Sequence, residues 1–488
     1  MVIVNYSTKA RPIDEHPLLG AARQHPSRPA VQFGELTLTY SDLYLKSKQI
    51  AVDLSQRGVQ KGQLIALGDL QTMEIIVSVW ACILGGFIAF PLNVRFPESS
   101  LAQILTNIKP SLIISNSSYP NHSSVIFGEL ITDASQLGSI DLPRYDAGKA
   151  ASLLMTSGSS GDIKFVQHSH HNHIESAKGS NQNIELNASD SWLLSLPLYH
   201  VGGLSILYRT GLTGAALIIP EEKNSMLEVI DKYGITHISL VATQFQRLLN
   251  DEQGPMILQG MKAILLGGSA ISTTLIQKAL DHHLPIHVSY GSTEMASQIT
   301  TTARHNRKSA LENSGKVLPG RDLIISHEGE ILTKGETLAQ GYLLNSNLIE
   351  LRDDDGWFHT RDVGYTNVQG ELTVTGRMDN QFISGGENVQ PEHIERLLCN
   401  IPGILSAIVI PKKDDEFGAR PVAFLEINQE VPDGREISQQ LSSHLPGYML
   451  PIAYYELPPE LTKDSLKISR KELTRLTHSG NKHLHSLL

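Results

Sequence analysis

Strand signals and helix signals take turns along most of this chain, and that alternation limits what it can fold into. Val31 to Thr39 reads as a hairpin turning at Gly34. Ser41 is expected to cap a helix that carries Leu43, Ile50 and Leu54 and ends at Gly58. Leu64 to Leu67 is a short apolar strand, and Leu112 to Ile114 is another beyond an intervening helix. Helix, strand and helix follow over Met226 to Tyr233, His237 to Val241 and Thr243 to Leu249. Strand, helix and strand come next over Ala263 to Leu266, Thr273 to Leu280 and Ile286 to Tyr290. Such alternation predicts an α/β fold of mostly parallel sheets covered by helices on both faces.

After Gly376-Arg377-Met378-Asp379 the pattern restarts. Pro391 opens a helix through Leu398, and Ile404 to Ile410 and Pro421 to Ile427 read as strands. A large N-terminal domain over 1–378 and a small α+β domain over 379–488 are therefore expected. Hydrophobic residues make up 41% of the chain, enough for a sizeable core, so wholesale disorder is excluded. Forty Lys and Arg against fifty Asp and Glu leave a net charge of −10, which argues against nucleic-acid binding. An anionic substrate must then be drawn in by a local cluster of donors.

Ile75 to Leu92 is almost free of polar residues, yet Gly85-Gly86 and Pro91 interrupt it. A buried helix running into a buried strand fits better than a transmembrane segment. Cys82 and Cys399 have neither disulfide nor metal-ligand spacing and read as buried thiols. The start, Met1 to Asn5, lacks the basic and apolar regions of a signal peptide. The expectation is a cytoplasmic enzyme, with a homo-oligomer left open.

Ligands of parallel sheets bind beyond the carboxyl ends of strands, where loops lead into helices. Three loops have that expected placement. The first is Thr156-Ser157-Gly158-Ser159-Ser160-Gly161-Asp162-Ile163-Lys164, whose glycines let backbone N–H groups curl round an anion. It lacks the Gly-Lys-Ser/Thr ending of a Walker loop, and taken alone it reads equally well as a surface turn. The second is Gly267-Gly268-Ser269-Ala270, and the third is Tyr290-Gly291-Ser292-Thr293-Glu294. A Tyr face can stack on a base, a Thr hydroxyl can reach phosphate, and a Glu can hold Mg²⁺. Together they point to a nucleotide pocket.

These motifs, with Pro197-Leu198-Tyr199-His200, Thr360-Arg361-Asp362, Gly376 to Asp379 and Lys467, fall in one order. In that order the chain resembles the adenylate-forming superfamily of acyl-CoA synthetases, adenylation domains and luciferases over nearly its whole length. Within it, Ser195 to Arg209, Ser239 to Gln244, Ser384 to Glu392 and Leu457 to Arg470 are most similar to the o-succinylbenzoate–CoA ligases of menaquinone biosynthesis.

The resemblance implies a ligase that uses ATP, Mg²⁺ and coenzyme A and passes through an acyl-adenylate. It implies that Thr156, Ser157, Gly158, Ser159, Ser160, Gly161 and Lys164 embrace the outer phosphates. Tyr290 would stack on adenine beside Gly291, with Gly268 and Ser269 lining the same pocket. Thr293 would contact phosphate and Glu294 would ligate Mg²⁺. Asp362 would take the ribose hydroxyls, and Arg377 would add a ribose or phosphate contact. Lys467 would bridge the attacking carboxylate and the α-phosphate, His200 would sit beside that carboxylate, and Asp379 would be the hinge.

Substrate choice is expected to rest on Arg209. If a helix follows Gly203, then Gly202, Ser205, Ile206 and Arg209 share one side, at about 100° per residue. Leu204, Leu207 and Tyr208 would face the core. An Arg in an acyl pocket suits a second carboxylate, as in an aromatic dicarboxylate, and not a fatty acid. The resemblance gives that carboxylate to Arg209, with Ser239 and Thr243 lining the pocket. Two departures stand out: Leu466 where many relatives have Gly, and Asp162, whose charge would weaken ATP binding if it pointed inward. Other readings are a ligase for a different aromatic or short dicarboxylic acid, or an adenylation enzyme loading a carrier protein, though no carrier segment follows Leu488.

Overall fold

Residue-by-residue alternation along the central strands decides where everything else packs. Within Ala216–Ile219, Leu217 and Ile219 join one buried cluster while Ile218 joins another. Within Ala263–Leu266, Leu265 joins the first cluster, and Ile264 and Leu266 the second. A strand apolar on both sides needs cover on both sides, which parallel sheets receive from crossover helices.

The computed structural model describes residues 15–119, 121–130, 142–157, 163–221, 223–304, 308–427, 431–458, 461 and 470–478. Among them are two large sheets of nine and eight strands. Leu64–Leu67 pairs in parallel with Ile88–Pro91 and with Leu112–Ser115 at the heart of the smaller one. In the larger, Ala263–Leu266 lies in parallel between His237–Leu240 and Ile286–Ser292. One continuous core joins the sheets, holding Ile65 and Leu67 from one and Val31 and Leu217 from the other. The expected α/β class is the observed one.

The elements match the sequence reading closely, with three differences. Thr39, not Ser41, caps the helix Tyr40–Gln56, because Asp42 three residues on completes a capping box with it. Ile206 packs into the shared core although it lies on the same side of the helix as Arg209, since the helix Val201–Thr213 is buried nearly all round. The first and third loops join antiparallel strands and do not lead into helices. Ala150–Ser157 pairs with Ile163–Ser169, and Ile286–Ser292 with Ser297–Thr301. Only Gly267 to Ala270 runs on to a helix, Thr273–Asp281.

The apolar run at 75–92 is the helix Thr72–Gly85 followed by Ile88–Pro91, with Gly86 closing the helix in the left-handed region at φ 72°. No helix among the described residues is long and apolar enough to cross a membrane. Cys82 is buried, Cys399 is half-buried, and both are free thiols.

Beyond Asp379 the chain builds a separate three-stranded sheet from Ile404–Asp414, Gly418–Ile427 and Tyr454–Glu456. Its two faces have their own clusters, around Val409 and Leu425 on one and Ile410 and Phe424 on the other. It touches the rest of the molecule through polar contacts: Arg247 to Glu426 at 3.0 Å and Thr273 Oγ1 to Asn400 Oδ1 at 2.9 Å.

Candidate active site

Tyr290 stands near the end of its strand, and its hydroxyl donates to Asp362 Oδ2 at 2.6 Å. Arg377 Nη1 donates to the other oxygen of that carboxylate at 2.7 Å. The pairing of Phe358–Thr366 with Leu372–Arg377 sets Asp362 directly opposite Arg377, so the ion pair follows from strand register. Burial, with the Asp362 carboxylate beside it, pushes the Tyr290 hydroxyl well above its ordinary range. It stays a donor.

One residue beyond the strand, the Thr293 carbonyl accepts a hydrogen bond from His168 Nε2 at 2.7 Å. Burial holds His168 at about 4, so its ring is neutral near pH 7 and this N–H fixes the tautomer. Glu294 Oε1 accepts from the Tyr342 hydroxyl at 2.8 Å. Lys164, across the hairpin from Thr156, holds its ammonium 4.8 Å above the Tyr342 ring. Tyr290, Thr293, Glu294, Lys164, Asp362 and Arg377 thus share one neighbourhood, and Gly268 and Ser269 lie exposed at the end of a neighbouring strand.

Gly291 admits no side chain, because a Cβ there would meet the Ser297 carbonyl oxygen at 2.0 Å. Among the described residues no group of three or more His, Cys, Asp and Glu could hold a metal ion. A lone carboxylate such as Glu294 suits Mg²⁺, which keeps several waters and takes other ligands from phosphate.

The second cluster starts from the helix Val201–Thr213, whose N-terminus follows His200. A Cβ on Gly203 would lie 2.2 Å from the Pro197 carbonyl oxygen, so the helix can begin this close to the preceding turn only with glycine there. His200 stands edge-on to Tyr199, with ring centres 4.7 Å apart. About two and a half turns on, Arg209 is 1% exposed. Its Nη2 donates to Gln298 Oε1 at 3.0 Å and Ser297 Oγ at 3.3 Å, and its Nε has no partner among the described residues. The guanidinium carbon lies 5.0 Å from the Trp192 ring centre, and Trp192 Nε1 donates to Ser239 Oγ at 3.2 Å. Thr243 lies half-buried on the helix Ala242–Leu249 that follows Ser239. The two clusters share the hairpin 286–301, which supplies Tyr290 to one and Gln298 to the other.

Asp379 sits in the short turn Met378–Asn380, held by Arg361 Nε and Arg377 Nη2 at 3.3 Å each. Arg361 has φ 62°, a left-handed conformation that costs a non-glycine residue about 1 kcal/mol. Lys467, Leu466 and the loop residues Gly158, Ser159, Ser160, Gly161 and Asp162 lie outside the described residues, as does the Ser157 side chain. Trp192, Gln298, His168 and Tyr342 escaped sequence reasoning. No local pattern marks them, since their partners stand far away along the chain.

The AMP-binding enzyme family matches residues 19–343. The chain is 32% identical to the 2-succinylbenzoate–CoA ligase of Escherichia coli over 91% of its own length and 94% of that protein's. Its fold is similar to that of o-succinylbenzoate CoA synthetase (MenE) from Bacillus subtilis in complex with the acyl-adenylate intermediate OSB-AMP. That match has a TM-score of 0.83 at 28% identity and covers 94% of this chain and 97% of that one. The same Bacillus enzyme with ATP and magnesium ion matches at TM-score 0.80 and 28% identity, covering 90% and 95%.

Proposed function

The chain belongs to the AMP-binding enzyme family, and on that premise we propose that it is an AMP-forming 2-succinylbenzoate–CoA ligase serving menaquinone biosynthesis. ATP and Mg²⁺ enter the first half-reaction and coenzyme A the second. A carboxylate oxygen of the acid attacks the α-phosphorus, and the bond from that phosphorus to pyrophosphate breaks. The thiolate of coenzyme A then attacks the acyl carbon, and the bond from that carbon to AMP breaks. The obstacle in the first step is the approach of two anions, so positioning and fixed positive charge supply most of the catalysis.

In this reading the Tyr290 ring packs on adenine while its hydroxyl keeps Asp362 oriented toward the ribose. Arg377 neutralises Asp362 and reaches toward ribose or phosphate. Thr293, with the 156–164 hairpin, binds phosphate oxygens, and Glu294 supplies the one protein carboxylate that Mg²⁺ needs. Lys467, carried by the domain that begins at Asp379, neutralises the attacking carboxylate and the α-phosphate. His200 lies beside the reacting carboxyl group. Rotation at Asp379 exchanges Lys467 for the 384–388 turn during the second step.

One observation carries the substrate reading: Arg209 is buried without an acidic partner among the described residues. A guanidinium removed from water needs an anion or a full set of acceptors, and here Nε has neither. A second carboxylate on the substrate supplies the anion. The test is CoA-ester formation across a panel of acids with ATP, Mg²⁺ and coenzyme A, read by product mass. 2-Succinylbenzoate should be the preferred acid. Faster turnover of benzoate or a fatty acid would overturn the proposal.

A further inference from the structure

Arg209 is not the only arginine buried in this region. Arg321, the first residue of the strand Arg321–Ile325, is also 1% exposed. Its Nη1 donates to the Pro319 carbonyl at 2.7 Å, and its Nη2 to the carbonyl and hydroxyl of Ser176 at 3.3 and 3.2 Å. Its Nε has no partner, as in Arg209. Gly179, inside the helix His170–Asn183, makes room for it, because a Cβ there would stand 2.4 Å from Arg321 Nη1. A glycine within a helix is less stable than alanine there, so this room comes at a cost in stability.

The two arginines are tied by one short path. Ser176, which accepts from Arg321, donates its own hydroxyl to the Ala296 carbonyl at 2.5 Å. Ser297 and Gln298, the next two residues, hold Arg209. Among the described residues no carboxylate lies within ion-pair distance of either guanidinium. Glu175 is close enough for its charge to be felt at Arg321, but it is paired with Lys178 at 2.7 Å. Each guanidinium is pushed down to about 9 by burial, and the charge of Arg209 adds to the effect at Arg321. Both still carry their charge at neutral pH.

Two like charges packed away from water, with no acid in ion-pair distance among the described residues, raise the affinity of their surroundings for an anion. A purely structural role would need only the donors that reach Pro319 and Ser176, not the charge. We propose that Arg321 is a positioning residue for the acid substrate: acting through Arg209, its charge makes the pocket demand an acid with two carboxylates. The inference rests on the substrate reading above and deepens it.

The test compares 2-succinylbenzoate with 4-oxo-4-phenylbutanoate, the same acid without its ring carboxylate, in native, Arg321→Met, Arg321→Lys and Ser176→Ala enzymes. Removing a nearby buried charge should raise the KM for 2-succinylbenzoate by about tenfold or more. The KM for ATP and turnover of the mono-acid should change by less than about twofold. Arg321→Lys, which keeps the charge, should restore most of the preference. Ser176→Ala, which removes the tether and keeps the charge, should leave the preference intact.

Should Met not be tolerated, Arg321→Gln makes the same comparison with a polar side chain in its place. Equal losses on both acids, an unchanged preference, or a Ser176→Ala enzyme that reproduces the loss would each overturn the proposal. A native enzyme inert toward both acids would fail at the substrate reading itself, which is a separate and recognisable outcome.

Discussion

Tyr290 and Asp362 meet hydroxyl to carboxylate at 2.6 Å, joining the end of a central strand to a strand of a separate four-stranded sheet. That bond locks the aromatic plane proposed for adenine to the carboxylate proposed for ribose. Tyr290→Phe keeps the ring and removes the lock. The KM for ATP should rise by about three- to tenfold with kcat nearly unchanged, less than the full cost of a charge-assisted hydrogen bond because Arg377 still holds Asp362. Steady-state kinetics at saturating acid and coenzyme A checks it, and an unchanged KM would separate the two residues functionally.

Arg209→Ala should raise the KM for 2-succinylbenzoate by at least about tenfold and that for ATP by less than about twofold. Equal effects on both substrates would remove Arg209 from the acyl pocket.

Lys467→Ala should abolish acyl-adenylate formation, measured as exchange of labelled pyrophosphate into ATP. The same variant should still make the CoA ester from preformed adenylate. Loss of both steps together would contradict the role proposed for this lysine.

Asp379→Pro should block thioester formation and largely spare adenylation. The substitution also breaks the ion pairs to Arg361 and Arg377, so Asp379→Ala is the necessary companion. Alanine leaves backbone rotation free and should retain most thioester formation. An alanine enzyme as impaired as the proline one would assign the effect to the ion pairs.

His359 bonds Glu330 through Nδ1 and Asp353 through Nε2, and these carboxylates raise its pKa above the ordinary value, the Glu330 bond most of all. A raised pKa means that the charged form contributes stability below about pH 6.5, and that this is lost as pH climbs through the higher folded value. His359→Gln should therefore lower the Tm more at pH 6 than at pH 8.5, by a difference on the order of 1 °C for so exposed a pair. Equal shifts at both pH values would show that the pairing contributes nothing.

Period and punctuation made most of the fold legible. Met226–Tyr233, Ala263–Leu266 and Pro391–Leu398 begin and end where apolar spacing and the flanking Gly or Pro place them. The hairpins at 157–163 and 292–297 were not legible. An apolar run followed by Gly and Ser looks the same whether the chain next coils into a helix or doubles back. The site divides along the same line. Motif residues such as Tyr290, Asp362 and Arg209 announce themselves in short runs. Their supports, Tyr342 under Glu294 and Gln298 under Arg209, depend on chain segments dozens of residues away. Arg361 gave no warning either, since nothing local forces an arginine into a left-handed backbone.

The glycine-tight start of the helix Val201–Thr213 has a consequence for which acids fit. With Gly203 pressed onto the Pro197 carbonyl and its amide bonded to His200, the turn and the helix cannot slide past each other. Nine residues of helix at about 1.5 Å each hold His200 and Arg209 roughly 13 Å apart along one axis. On the roles proposed above, the pair would work as a fixed gauge. An acid whose two charged ends are spaced differently from those of 2-succinylbenzoate would meet one end of the gauge and miss the other.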